Sequence, residues 1–252
     1  MNAREFCVSW VTEHSNKDAR ILDYGCGSGE IVADLRAHGF EAFGCDVFYD
    51  GGNFARLPEA TPYISSMDSR IPFDDGSFDL VLSNSVLEHV SDLAAVVAET
   101  ARVLRPRGTA LHVFPDRGTW WEGHVSMPFL HWFPKGQLRL QYAVAMSHVP
   151  KLGLPLNGRT RQQRYAAKCI WLDEWTHYRS LGALHSAFSG SFDVEHAEEL
   201  RFDAKFGPRA IPVSLKRWLI RKLAGNVLVL TKSDTHVKSN YPHRLGGHPA
   251  AL

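Results

Sequence analysis

Residues Asp23 to Glu30 read DYGCGSGE, with Gly25, Gly27 and Gly29 at every second position between an apolar pair and a helical pattern. Glycines so closely spaced carry a high chain-entropy cost unless a ligand must come very near the backbone. The spacing departs from the G-x-G-x-x-G of a dinucleotide site. Three residues after Gly27 stands Glu30, a carboxylate at the helix start where a phosphate would otherwise bind. A ligand with a cationic amino-acid end suits the stretch better, because Asp23 can accept from an ammonium group while the bare loop lets an adenosine approach.

The elements that must position this loop alternate between helical and strand periodicity. AREFCVSWVTEH has helical spacing, RILDYG is a short apolar strand, EIVADLRAHG is a helix stopped by Gly39, and EAFGCDV is a second strand. PYISSMD and FDLVLSNS follow as strands, then the long helix DLAAVVAETARVL closed by RPRG, and the strand TALHVFP. Strands separated by helices imply crossover units, hence a mostly parallel sheet covered on both faces. In such a sheet ligands bind beyond the carboxyl ends of the strands, and the first strand-to-helix turn is the usual contact. After Pro115 the rhythm breaks. Residues Asp116 to Leu172 are rich in Trp, His, Pro and Arg, before a helix in LDEWTHYRSLGALHSAF, a strand in FDVEHAEEL, a basic helix in SLKRWLIRKLAG and a strand in NVLVLTKS. The polar tail from Asp234 reads as disordered.

Composition excludes several classes. The 252 residues are 44% hydrophobic and 22% charged, as in an ordinary globular protein able to bury a core. A net charge of +1 argues against a whole-surface attraction to nucleic acid, so no nucleic-acid partner is expected. No apolar run is long enough to span a bilayer and the N-terminus lacks a signal-peptide pattern, which places the chain in the cytoplasm as an expectation. Cys7, Cys26, Cys45 and Cys169 form no CxxC pair and read as small buried apolar residues.

ILDYGCGSGE resembles the first motif of the class I S-adenosylmethionine (SAM) dependent methyltransferases. MDSRIPFDDGSFDLVLSNSVLEHVSD resembles the central signature of their small-molecule branch with the type 11 domain, and ETARVLRPRGTALHVFP is similar to the helix and fifth strand that follow it. The likeness runs from Arg20 to Pro115 in order and spacing. It implies a Rossmann-like α/β fold, a doubly wound seven-stranded sheet with the last strand antiparallel, with an aromatic-rich cap inserted at 116–172 of a domain covering 1–233, ahead of the tail at 234–252. It implies SAM as cofactor, lined by Gly25, Gly27 and Gly29, with Asp23 near its amino group and Asp46 on the ribose hydroxyls. Asp68 would read the adenine amino group with Met67 or Ser69 beside the ring, while Ser83, Asn84 and Ser85 would face the reacting methyl. One departure is the glycine-rich CDVFYDGGNF after the second strand, where relatives begin a helix, so an irregular ribose loop is expected there.

Methyl transfer from a sulfonium needs alignment, exclusion of water and, for a hydroxyl acceptor, removal of a proton. The insertion is the candidate cover. Five of the seven tryptophans, Trp120, Trp121, Trp132, Trp171 and Trp175, lie in or just beyond it beside His124, His131 and His148. Histidine is the natural base, so His89, His124 and His131 are the catalytic candidates. Some relatives, the ubiquinone-pathway and small-RNA ribose O-methyltransferases, place Glu-x-x-Glu-His at this point and bind a divalent metal. Here Ser85 stands where the first glutamate would be, so the expected site is metal-free, with a partial site at Glu88, His89 and His124 as the alternative.

The basic stretches GRTRQQRYAAK and SLKRWLIRKL make anionic or lipid-linked acceptors plausible. The second is amphipathic and suits weak membrane-surface contact, although packing its apolar stripe on the sheet with its cations in water is preferred. The expected activity is O-methylation of a small-molecule hydroxyl, first of all on a sugar or glycan. Methylation of a quinone, phenol or natural-product scaffold is the alternative, as is a SAM-binding partner protein without catalysis.

Overall fold

The computed structural model describes residues 1–47, 62–68 and 70–233. In chain order the elements are α1 (Ala3–His14), β1 (Arg20–Tyr24), α2 (Glu30–Ala37), β2 (Glu41–Asp46), β3 (Ile64–Ser66), β4 (Phe78–Asn84), α3 (Leu93–Val103) and β5 (Leu104–Phe114). They continue with β6 (Trp121–Glu122), β7 (Met127–Pro128), α4 (Gln137–Met146), α5 (Arg161–Trp175), α6 (Leu181–Phe188), β8 (Phe192–His196), α7 (Glu198–Phe206), α8 (Val213–Ala224) and β9 (Asn226–Lys232). Ser69, the ribose-loop residues from position 48 and the tail from Asp234 lie outside the described residues.

Seven strands form one sheet in the order β3-β2-β1-β4-β5-β9-β8. The pairs from β3 through β5 are parallel, and β9, the last strand, runs antiparallel to both β5 and β8. The order reverses between β1 and β4, so their carboxyl ends flank the crevice where such sheets bind ligands. One face packs Ile21, Leu82 and Leu111 against Phe6 and Trp10 of α1 and Val32 and Leu35 of α2. The other packs Leu22, Val81, Ala110 and Leu228 against Val96 and Val97 of α3 and Leu184 and Phe188 of α6. All four cysteines are buried, as expected of small apolar residues.

The insertion has a core of its own, Val125, Met127, Leu130, Ala143, Tyr165, Cys169 and Leu172, built from the β6–β7 hairpin, α4 and α5. The helix expected through LDEWTHYRSLGALHSAF is two helices. α5 ends at Trp175, and α6 restarts where the Ser180 side chain accepts from the Ala183 N–H as an N-cap. The intervening 176–180 segment is a strap whose His177 N–H donates to the Glu88 carbonyl at 2.6 Å. The strand expected in FDVEHAEEL stops at His196, because Glu198 and Glu199 open α7, where carboxylates favour the positive end of a helix.

α8 reverses the preferred reading of its amphipathic pattern. Its cations turn inward: Lys216 pairs with Asp203 at 2.7 Å, Arg217 with Glu199 at 2.6 Å and Arg221 with Glu198 at 2.9 Å, while Lys222 donates to the Gly118 carbonyl at 3.0 Å. Leu215, Trp218 and Leu223 stand 43–49% exposed, and Ile220 is the apolar side chain that α8 buries completely. The acidic first turn of α7 and Asp203 draw the basic stripe down, which leaves the apolar one in water.

Candidate functional site

The loop after β1 is shaped by backbone demands that only glycine meets without strain. Gly25, Gly27 and Gly29 have φ of 75°, 53° and 78°, the left-handed region. A Cβ on Gly25 would stand 2.4 Å from Val86 Cγ2, and one on Gly29 2.1 Å from Ile64 Cδ1, so these two also serve close packing. The Gly27 N–H donates to Asp46 Oδ2 at 2.6 Å, which ties the tip of β2 to the loop. Glu30, at the start of α2, is met by Arg4 at 2.6 Å.

A cavity of about 370 Å³ opens over this loop, lined by Asp23, Gly25, Gly27, Asp46, Asn84 and Ser85 from the sheet and loop side. From the opposite side it is lined by His89, His124 and Trp171, so the cap closes over the crevice. Asp23 is 2% exposed, and among the described residues its Oδ2 has no partner, nor has Asn84 Oδ1. Burial, with the nearby charge of Asp46, pushes the Asp23 carboxyl up to about 8. A buried carboxyl with an unmet acceptor atom is a receptor for a cation.

Met67 and Asp68 line a neighbouring cavity with Tyr24, Asp46, Val47 and Ile71. It shares Gly25, Asp46, Val47, Val86 and His89 with the first, so a ligand lying over the glycine loop can reach from one into the other. Ser83 points elsewhere. It is fully buried in the sheet, and its hydroxyl lies 2.7 Å from His112 Nδ1. Asn84 and Ser85 are the residues of that strand end that reach the cavity, Ser85 with φ of 59°.

Two of the three histidine candidates meet. His89 Nε2 and His124 Nε2 are 3.1 Å apart. His89 Nδ1 donates to the Trp175 carbonyl at 2.7 Å, and His124 Nδ1 donates to Glu122 Oε1 at 2.7 Å. Glu122 is fully buried, yet hydrogen bonds from His124, the Tyr178 hydroxyl and the Val125 N–H outweigh that burial and hold its carboxyl below the usual range. It is therefore a carboxylate and only accepts. Burial lowers the pKa of His89, and the His124 charge adds to the effect.

Behind the pair lies Glu88, 2% exposed, its Oε2 without a partner among the described residues and its carboxyl pushed up to about 8 by burial and the charge of Glu122. Ligand atoms of Glu88, His89 and His124 all fall within 4.8 Å of one another, so the residues of the partial metal site do come together. His131 does not join them. Its ring lies tilted against that of Tyr178, centroids 4.6 Å apart, and lines a different cavity. Glu122 is the residue that the sequence reading passed over. It ends β6, and the turn at 123–126, in which the Val125 N–H donates to Glu122 Oε2 at 2.7 Å, brings His124 back onto it, which no periodicity in the sequence records.

Residues 22–112 match the family model described as a methyltransferase domain. Among curated relatives, a ubiquinone biosynthesis O-methyltransferase of Acinetobacter baylyi is 28% identical over 116 residues, covering 42% of this chain and 48% of that protein. A demethylmenaquinone methyltransferase of Beutenbergia cavernae is 36% identical over 92 residues, covering 35% and 38%. The chain thus spans about half or less of the length of these relatives. A crystal structure of a SAM-dependent methyltransferase from Mesorhizobium loti superposes with a TM-score of 0.53 at 19% identity, covering 91% of this chain and 98% of that one, a likeness of fold. Among the described residues, no helix is long and apolar enough to cross a membrane.

Proposed function

We propose that this chain, whose residues 22–112 match a methyltransferase domain, is a class I SAM-dependent methyltransferase that transfers the methyl group of SAM to a hydroxyl on a small planar ring, with His124 taking the hydroxyl proton. The observation that carries this reading is that His124, oriented by a buried carboxylate, lines the same cavity as the glycine loop and Asp23.

The residues fit the cofactor. Asp23 Oδ2 and Asn84 Oδ1 are buried acceptors without partners among the described residues, suited to the ammonium and to other donors of SAM, and the bare backbone at Gly25 and Gly27 leaves room for the nucleoside. Asp46 and Asp68 stand along the same crevice for the ribose and the adenine. When bound, SAM supplies an electrophilic methyl on a sulfonium.

The protein aligns the acceptor and takes its proton. Glu122 fixes the His124 ring through Nδ1 and leaves Nε2 facing the cavity, where an acceptor hydroxyl displaces the contact with His89 and gives up its proton. The imidazolium so formed is balanced by Glu122. Trp171, its centroid 5.3 Å from that of His124, gives a flat apolar wall suited to a ring. The named activities of the ubiquinone and menaquinone relatives favour such a ring acceptor, and they lend no support to the sugar hydroxyl expected at first. The test is label transfer from methyl-tritiated SAM to panels of catechols and quinols on one side and sugars on the other. Labelled ring compounds support the reading, and label confined to sugars contradicts it.

The meeting of Glu88, His89 and His124 favours a second reading, in which these three hold a divalent cation that lowers the pKa of the acceptor hydroxyl. Transfer unaffected by a chelator supports the metal-free base, whereas a loss restored by magnesium selects the metal.

A further inference from the structure

On the far side of the Tyr178 ring from His124 lies a second cavity of about 500 Å³, between the cap and the 176–180 strap. Its walls carry Arg117, Lys135, Arg139 and Arg179, and no carboxylate side chain is among its lining residues. Asp173 pairs with Arg139, which leaves three cations without an anionic partner in the wall. Arg179 reaches only carbonyls, of Ser91 at 2.8 Å, His177 at 3.2 Å and Leu87 at 3.4 Å. Lys135 donates to the Asp173 carbonyl at 2.5 Å. The Arg117 guanidinium has no hydrogen-bond partner among the described residues, while its backbone N–H donates to the Arg179 carbonyl at 2.9 Å and so fixes the two arginines side by side.

This cavity shares Trp132, Phe133 and Pro134 with an apolar groove of about 360 Å³, completed by Phe129 and Tyr142. The groove is preformed: the Phe133 and Tyr142 rings stack with centroids 4.2 Å apart, and the Phe129 ring lies tilted against Trp132 with centroids 4.8 Å apart. Trp132 is 46% exposed, a large apolar side chain left in water. Three cations around a cavity whose wall carries no carboxylate suit a group with two negative charges and several acceptor oxygens, which a phosphate ester has and a carboxylate lacks. An apolar chain leaving that group enters the groove without crossing solvent.

We infer that the two cavities form one site for a phosphate-bearing amphiphile, its phosphate held by Arg117, Lys135 and Arg179 and its apolar part by Trp132 and Phe133. Tyr178 couples the site to the chemistry, because its ring lines the cavity while its hydroxyl donates to Glu122 at 2.9 Å. That this ligand is the methyl acceptor rests on the methyl-transfer reading. That it binds does not.

The test uses the full chain and calorimetric titration with octyl phosphate below its micellar concentration, inorganic phosphate and octyl glucoside, with SAM titrated in parallel. Octyl phosphate is expected to bind at least tenfold more tightly than either other probe. The double variant Arg117→Gln, Lys135→Gln, at exposed positions, is expected to lose at least tenfold for octyl phosphate and to keep its SAM affinity. Trp132→Ala is expected to weaken octyl phosphate and leave inorganic phosphate unchanged. Equal binding of octyl phosphate and octyl glucoside, or an unchanged octyl phosphate affinity in the double variant, overturns the site. Sedimentation with phosphatidylglycerol vesicles that the double variant abolishes identifies the phosphate as a lipid headgroup. Octyl phosphate binding without sedimentation identifies a soluble ester, and the site stands in both cases. SAM failing to bind while octyl phosphate still does removes the methyl-transfer reading and leaves this one.

Discussion

His124 Nδ1 lies 2.7 Å from Oε1 of Glu122, a carboxylate with no exposed surface, so the ring that faces the cofactor cavity has its orientation and tautomer set from behind. Glu122→Gln keeps the size of the side chain, removes the charge and lets the ring adopt the wrong tautomer. Turnover is expected to fall at least tenfold, with SAM affinity within twofold of the parent, as judged by steady-state kinetics and calorimetry. Tyr178→Phe, which removes one of the three donors to that carboxylate, is expected to cost less.

Asp23 carries a proton at neutral pH in the ligand-free chain, because burial pushes its carboxyl up to about 8. An ammonium placed against Oδ2 favours the carboxylate, so SAM binding at pH 7 is expected to release most of one proton. Calorimetry in buffers of different ionisation enthalpy reads that number directly. Asp23→Asn is expected to release none and to bind SAM more weakly. Equal proton release by the two proteins would place the cation elsewhere.

The same raised values give the ligand-free protein an unusual pH dependence. Asp23 and Glu88 hold protons up to about 8 when folded but titrate near 3.8 and 4.5 when unfolded. The folded state therefore binds more protons across this interval, and stability is lost as pH rises towards 8, opposite in sign to a salt-bridged carboxylate. The slope is at most about 1.4 kcal/mol per pH unit for each group. Denaturant midpoints between about pH 6.5 and 8 are expected to fall more steeply with pH in the parent than in Asp23→Asn, Glu88→Gln, the histidines that titrate near 6.5 being common to both proteins.

The sheet and its crevice were legible because local signals and tertiary demands agree there. The glycine spacing, the apolar runs of β1, β2, β4 and β5 and the amphipathic α3 each point to the same crossover fold. The sequence failed where distant partners decide. The stripe of α8 faces out because Glu198, Glu199 and Asp203 on another helix capture its cations, and no periodicity within α8 records that. Ser83 at the end of β4 has the right neighbours for the cavity, yet alternation along the strand turns it toward His112 and the core. Of the three histidines, His89 and His124 meet only because the 176–180 strap and the β6–β7 hairpin fold onto the end of β4, while the same strap puts Tyr178 between His131 and the others.

The most direct test of the central claim is single-turnover methyl transfer from tritiated SAM to a ring acceptor, in the parent, His124→Gln and His131→Gln, at saturating cofactor. The account predicts a rate at least about a hundredfold lower in His124→Gln with SAM affinity unchanged, the usual scale of a lost general base, and a near-parental rate in His131→Gln. Equal rates in the parent and His124→Gln would contradict it.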